Sequence, residues 1–146
     1  MQELSRYLFL AGGILLLLLG TAHVVHTPQQ PAERKGLSPA DPAIAESMAR
    51  SRVLLTGRTD MWRVWVGINL SHSLGVLLLG FVVVLVGRTP ASFGYNAAVF
   101  VPLAIVVSLA YLGLGFVYWF RTPIIAVGVS VLLFSCAWVF SFVGRR

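Results

Sequence analysis

VWVGINLSHSLGVLLLGFVVVLVG, residues 64–87, lies between Arg63 and Arg88 and holds 24 residues without a charge. A helix rises about 1.5 Å per residue, and a ~30 Å hydrocarbon core takes about 20 apolar residues to cross, so this stretch spans once and not twice. A soluble helix of that length would need a polar face, and residues 74–86 have none. Two further charge-free runs follow, residues 89–120 and 122–144, and an apolar run follows Arg6. The chain is therefore expected to be all-α, a four-transmembrane-helix bundle forming a single transmembrane domain over residues 1–146. Its spans are placed at about 7–25, 62–86, 97–120 and 123–143. Composition agrees: 11% of residues are charged, against roughly 25% in soluble domains.

Residues 27–60 form the polar loop. Within it, Asp41-Pro42 has the form of an N-cap followed by proline at the first helical position, which predicts a short amphipathic helix in this first loop. Ile44, Met48 and Leu55 are expected on its apolar face, against the membrane or the bundle mouth. Thr59 or Asp60 caps the second span. Thr89-Pro90 ends it, with residues 93–96 as the return turn. Arg121-Thr122-Pro123 is taken as the next reversal, with Thr122 as cap and Pro123 opening the fourth span.

The first span is expected to be retained rather than cleaved, because Glu3 offsets Arg6 and three spans follow. Four spans put both termini on the same side of a membrane, expected to be the bacterial cytoplasmic membrane. Seven basic residues (Arg34, Lys35, Arg50, Arg52, Arg58, Arg63, Arg121) fall on the long-loop face and four (Arg6, Arg88, Arg145, Arg146) on the terminal face. The net charge of +6 is thus scattered at helix ends, which suits membrane lipid headgroups and not nucleic acid. Cys136 stands alone in an apolar run, so no internal disulfide or paired-thiolate metal site can form.

Polar residues at depth need a partner or a wet cavity. At about 100° per residue, Trp62, Trp65, Asn69, His72 and Val76 share one face of the second span. Gly67, Ser71 and Gly75 line nearly the opposite face as a small-residue seam that is expected to let another helix approach closely within the bundle, or to take a membrane partner or second copy. Val66, Leu70 and Leu77 are left for lipid. His23 and His26 end the first span at the same mouth, and Tyr111 and Tyr118 approach it from the third. The ligand-binding candidates are His72, Asn69, His23, His26, Arg63, Trp65 and Tyr111. Structural hydrogen bonding and interfacial anchoring explain the same residues without a ligand.

None of the four spans is expected to contain a carboxylate, since Glu3, Glu33, Asp41, Glu46 and Asp60 all fall outside them, so neither a hydrolytic triad nor a proton relay is complete. No catalytic residue is assigned. If both spans start level at the interface, His23 and His72 differ by about 8 to 10 Å in depth, which argues against a shared metal; no metal and no resident cofactor are assigned. Haem, with axial ligands on opposite faces supplied by His72 and His23 or His26, is the alternative.

Over residues 20–27, GTAHVVHT, and 61–75, MWRVWVGINLSHSLG, the chain resembles a group of small bacterial four-helix membrane proteins of unknown function. In layout it is similar to the DoxX-like membrane proteins, some of which are associated with redox enzymes. The resemblance implies the fold and slightly favours a redox-linked role; it assigns no site residue. The expected function is a non-catalytic accessory subunit or a binder of a lipid-like molecule, and the alternative is a haem- or quinone-linked membrane redox component.

Overall fold

Helix starts follow the capping side chains. Asp41 accepts from the Ala43 amide at 2.9 Å and Pro42 follows it; Asp60 accepts from the Arg63 amide at 2.9 Å; Thr89 accepts from the Ser92 amide ahead of Pro90. The computed structural model describes residues 1–143. Its elements are α1 (Gln2–His26), α2 (Pro42–Arg50), β1 (Arg52–Val53), β2 (Thr56–Asp60), α3 (Met61–Gly87), α4 (Pro90–Tyr118) and α5 (Arg121–Val143). α1, α3, α4 and α5 are each long and apolar enough to cross a membrane, which marks an integral membrane protein. Arg145 and Arg146 lie outside the described residues.

Several element ends differ from those expected. Residues 93–96 are helical and not a turn: Thr89-Pro90 both ends one helix and nucleates the next, leaving two residues between α3 and α4. The next reversal falls at Trp119 and Phe120, and Arg121-Thr122-Pro123 is the first turn of α5, where proline costs nothing because the N–H it lacks would have no partner. α1 begins at Gln2, which brings Glu3 into its first turn, paired with Arg6 at 2.6 Å. Residues 52–60 form an antiparallel hairpin, with Arg52 opposite Asp60 and Val53 opposite Thr56.

The chain forms two compact units, residues 20–75 and the remainder. In the latter, α4 and α5 join the N-terminal part of α1 and the C-terminal part of α3 around one core. Buried positions on α4 (Phe93, Ala97, Val101, Ala104, Ser108, Gly115) recur at spacings of three, four and seven, the seam of a helical bundle. The Phe9 ring stands 5.5 Å from Phe93 and 5.6 Å from Phe134. Ser5 Oγ donates to the Ala137 carbonyl at 2.6 Å, and Ser130 Oγ reaches the Gly12 carbonyl at 3.4 Å. Buried hydroxyls satisfied on backbone oxygens are the usual solution where no water is available.

Close approach of α1 and α3 runs through Gly13 and Gly80. A Cβ on Gly80 would lie 2.8 Å from the Gly13 carbonyl oxygen, and one on Gly13 would meet the Val83 side chain. The predicted seam is not that contact. A Cβ on Gly67 would meet nothing within 4 Å, and Ser71 is exposed, donating to its own helix at Gly67. Val66, expected toward lipid, is buried with Trp62 and Ala45.

In residues 20–75, Thr27 closes α1, its amide and Oγ1 donating to the His23 carbonyl at 3.1 and 2.7 Å. The loop is held by backbone contacts from Arg34 to Pro39 and Ala40 and by the Glu33–Lys35 pair at 2.9 Å; the Lys35 ammonium holds the Glu33 carboxyl below its ordinary range. α2 packs through Ala45, Met48 and Ala49 onto Trp62 and Val66. Ile44 and Leu55, expected on that face, are both exposed, because Leu55 belongs to the hairpin and the inner stripe is set by Ala45 and its neighbours at i+3 and i+4.

Candidate functional site

Three of the seven candidate residues meet. Asn69 sits on the half-buried face of α3, two turns into the helix, and its Nδ2 donates to the Trp65 carbonyl at 2.8 Å. That bond orients the amide, so Oδ1 is the acceptor facing His23 Nε2 at 3.0 Å. His23 therefore carries its proton on Nε2, and in the neutral ring Nδ1 becomes the acceptor. The His72 ring lies 5.4 Å from the His23 ring, centroid to centroid, at an interplanar angle of 52°. Ser73, buried and missed by the sequence reading, donates to the Asn69 carbonyl at 2.9 Å. Its signal was the i+4 spacing from Asn69, which places it one turn further along that face.

This convergence overturns the expected depth difference between His23 and His72. Side chains tilt toward the N-terminus of their own helix. α1 ends at this mouth and α3 begins there, so His23 leans inward and His72 leans outward, and the two rings approach. The assumed level start also fails: Trp62 Nε1 donates to the Gln29 carbonyl at 3.3 Å, so the chain runs three residues beyond α1 before reaching the level of Trp62.

The other candidates do different work. His26 is exposed, donates from Nδ1 to the Ala22 carbonyl at 2.8 Å, and packs against the loop: a Cβ on Gly36 would stand 2.6 Å from its ring. Arg63 turns back to Asp60 at 3.5 Å with its side chain 75% exposed. Trp65 contributes its carbonyl to Asn69, while its ring stands 5.2 Å from that of Trp62. Tyr111 belongs to the other unit, where its ring lies 6.2 Å from that of Trp119.

Chemically, two imidazoles and one carboxamide in a part-buried setting can hold a hydroxyl or carbonyl group. Among the described residues, no three His, Cys, Asp or Glu side chains are grouped so as to hold a metal ion. No protein-family model, curated protein or solved structure matches the chain.

Proposed function

We propose that this chain is a non-catalytic protein of the bacterial cytoplasmic membrane that binds a lipophilic molecule, with His23, Asn69 and His72 receiving its polar head. The observation that supports this most directly is the oriented pair: Asn69 fixes His23 with Nε2 as donor, beside the His72 ring. The second ring, at 5.4 Å, sets another imidazole beside that pair. Gly67, Ser71 and Gly75 offer a second membrane helix or a second copy its docking seam in this reading.

A quinone or quinol is the redox version of the same ligand class, since its head presents those groups. Haem fits less directly. Two coordinate bonds of about 2 Å, with the ring radii added, would set the centroids of two axial imidazoles more than ~6 Å apart, so His23 and His72 would have to separate.

Mass spectrometry of the protein extracted in mild detergent tests the reading. The wild type should carry a lipophilic molecule at near-stoichiometric occupancy, and His72→Leu should lose it while unfolding at a similar temperature. An unchanged molecule at unchanged occupancy in a folded His72→Leu protein rules the reading out, and a Soret band in the wild type replaces it with the haem alternative.

A further inference from the structure

The hairpin that precedes α3 ends in two leucines with no cover. Leu54 and Leu55 are 107% and 94% exposed, and they form the whole turn between the paired residues Val53 and Thr56. Arg50, Arg52 and Arg58 flank them in the sequence, and all three are exposed. Among the described residues Arg52 and Arg58 take part in no ion pair, and Arg50 meets Glu46 only at 3.5 Å with both side chains largely in the open. The hairpin is not loose at its base, because the Met61 amide donates to the Ser51 carbonyl at 3.0 Å beside the start of α3.

We propose that this tip is an interfacial anchor, with Leu54 and Leu55 entering the headgroup layer of an anionic lipid surface and Arg52 and Arg58 binding its phosphates. Two exposed apolar side chains with arginines on either side of them in the hairpin match that layer, which is apolar below and negatively charged above. Reach agrees. Five residues of β2 separate the tip from α3, about 17 Å when extended, and α3 itself is long and apolar enough to span. The tip therefore tethers the head of the span that carries Asn69 and His72.

Hydrogen exchange of residues 52–58 in the full chain tests this, with the protein in nanodiscs of phosphatidylcholine alone or of phosphatidylcholine mixed with phosphatidylglycerol. Exchange should be severalfold slower in the mixed bilayer. The Arg52→Gln/Arg58→Gln and Leu54→Ser/Leu55→Ser proteins should each lose that slowing, with exchange in α4 and α5 unchanged as the control for folding. Equal rates for the wild type in the two bilayers overturn the proposal; that is the behaviour of a tip standing in water for a soluble protein partner.

Discussion

Among the side chains of the site, Asn69 has the organising role. Its amide nitrogen is fixed on Trp65 and its oxygen on His23, so it sets which nitrogen of His23 bears the proton and which way the ring faces. A double-mutant cycle of His23→Leu and Asn69→Leu, followed by reversible unfolding in mixed micelles, should return a coupling of about 0.6 kcal/mol and at most ~1.7, the range for interhelical hydrogen bonds in membranes. The intrahelical bond to Trp65 is lost in both halves of the cycle and drops out. Strict additivity would show that the two side chains do not meet. The sequence pointed to His23, Asn69 and His72 because polar residues are rare in spans, but it could not rank them, since rank depends on distances across helices. Arg6 illustrates the same limit. Taken from the sequence as a marker of where a span begins, it is buried, donates from Nη1 to the Gly87 carbonyl at 3.1 Å, and so satisfies the C-terminal end of α3, where a cation is favoured.

For the elements, existence was legible and ends were less so. Long runs without charge favour uninterrupted helices, in which each segment pairs its own backbone groups, so four long apolar helices follow from residues 64–87 and their counterparts. Ends depend on which residue caps, and Thr89-Pro90 reads as a stop but is also a start. The hairpin at 52–60 is not legible in the sequence because its turn, Leu54-Leu55, lacks the Asn-Gly type of signal. The glycines show the same divide most clearly. Gly67, Ser71 and Gly75 satisfy the small-residue pattern, yet it is Gly80 that lies against Gly13, because a one-dimensional pattern names a face and not the neighbour that occupies it. Gly80→Ala should therefore destabilise the protein by about 1–3 kcal/mol, the cost of overpacking against a backbone that cannot move aside. Gly67→Ala should not destabilise it, since the added methyl group meets nothing and alanine is the better helix former. Equal losses in the two variants would contradict the packing of α1 on α3.

For the whole molecule, sidedness follows from counting spans. α3 has 27 residues, which is about 40 Å of helix against a hydrocarbon core of ~30 Å, so a chain that enters at Met61 has left the membrane by Gly87. Gly57, before it, and Ala91, after it, are both exposed. With the exposed Cys136 first replaced by alanine, Gly57→Cys and Ala91→Cys should be labelled by an impermeant maleimide from opposite sides of the membrane. Gln2→Cys should label from the same side as Ala91→Cys, because α1 and α3 both lie between them. Labelling of Gly57→Cys and Ala91→Cys from one side would mean that α3 does not cross, and labelling of Gln2→Cys with Gly57→Cys would mean that α1 does not. The same three proteins fix the absolute orientation. The seven basic residues on the long-loop face place Gly57 in the cytoplasm if they act together, but most are spread along a 34-residue loop, and the rule counts charges close to the spans. Close to the span ends the count is nearly even, with Arg58, Arg63 and Arg121 on the long-loop face against Arg6, Arg88, Arg145 and Arg146 on the other; the full count of seven against four is what predicts that Gly57→Cys is protected in intact cells and Ala91→Cys labelled.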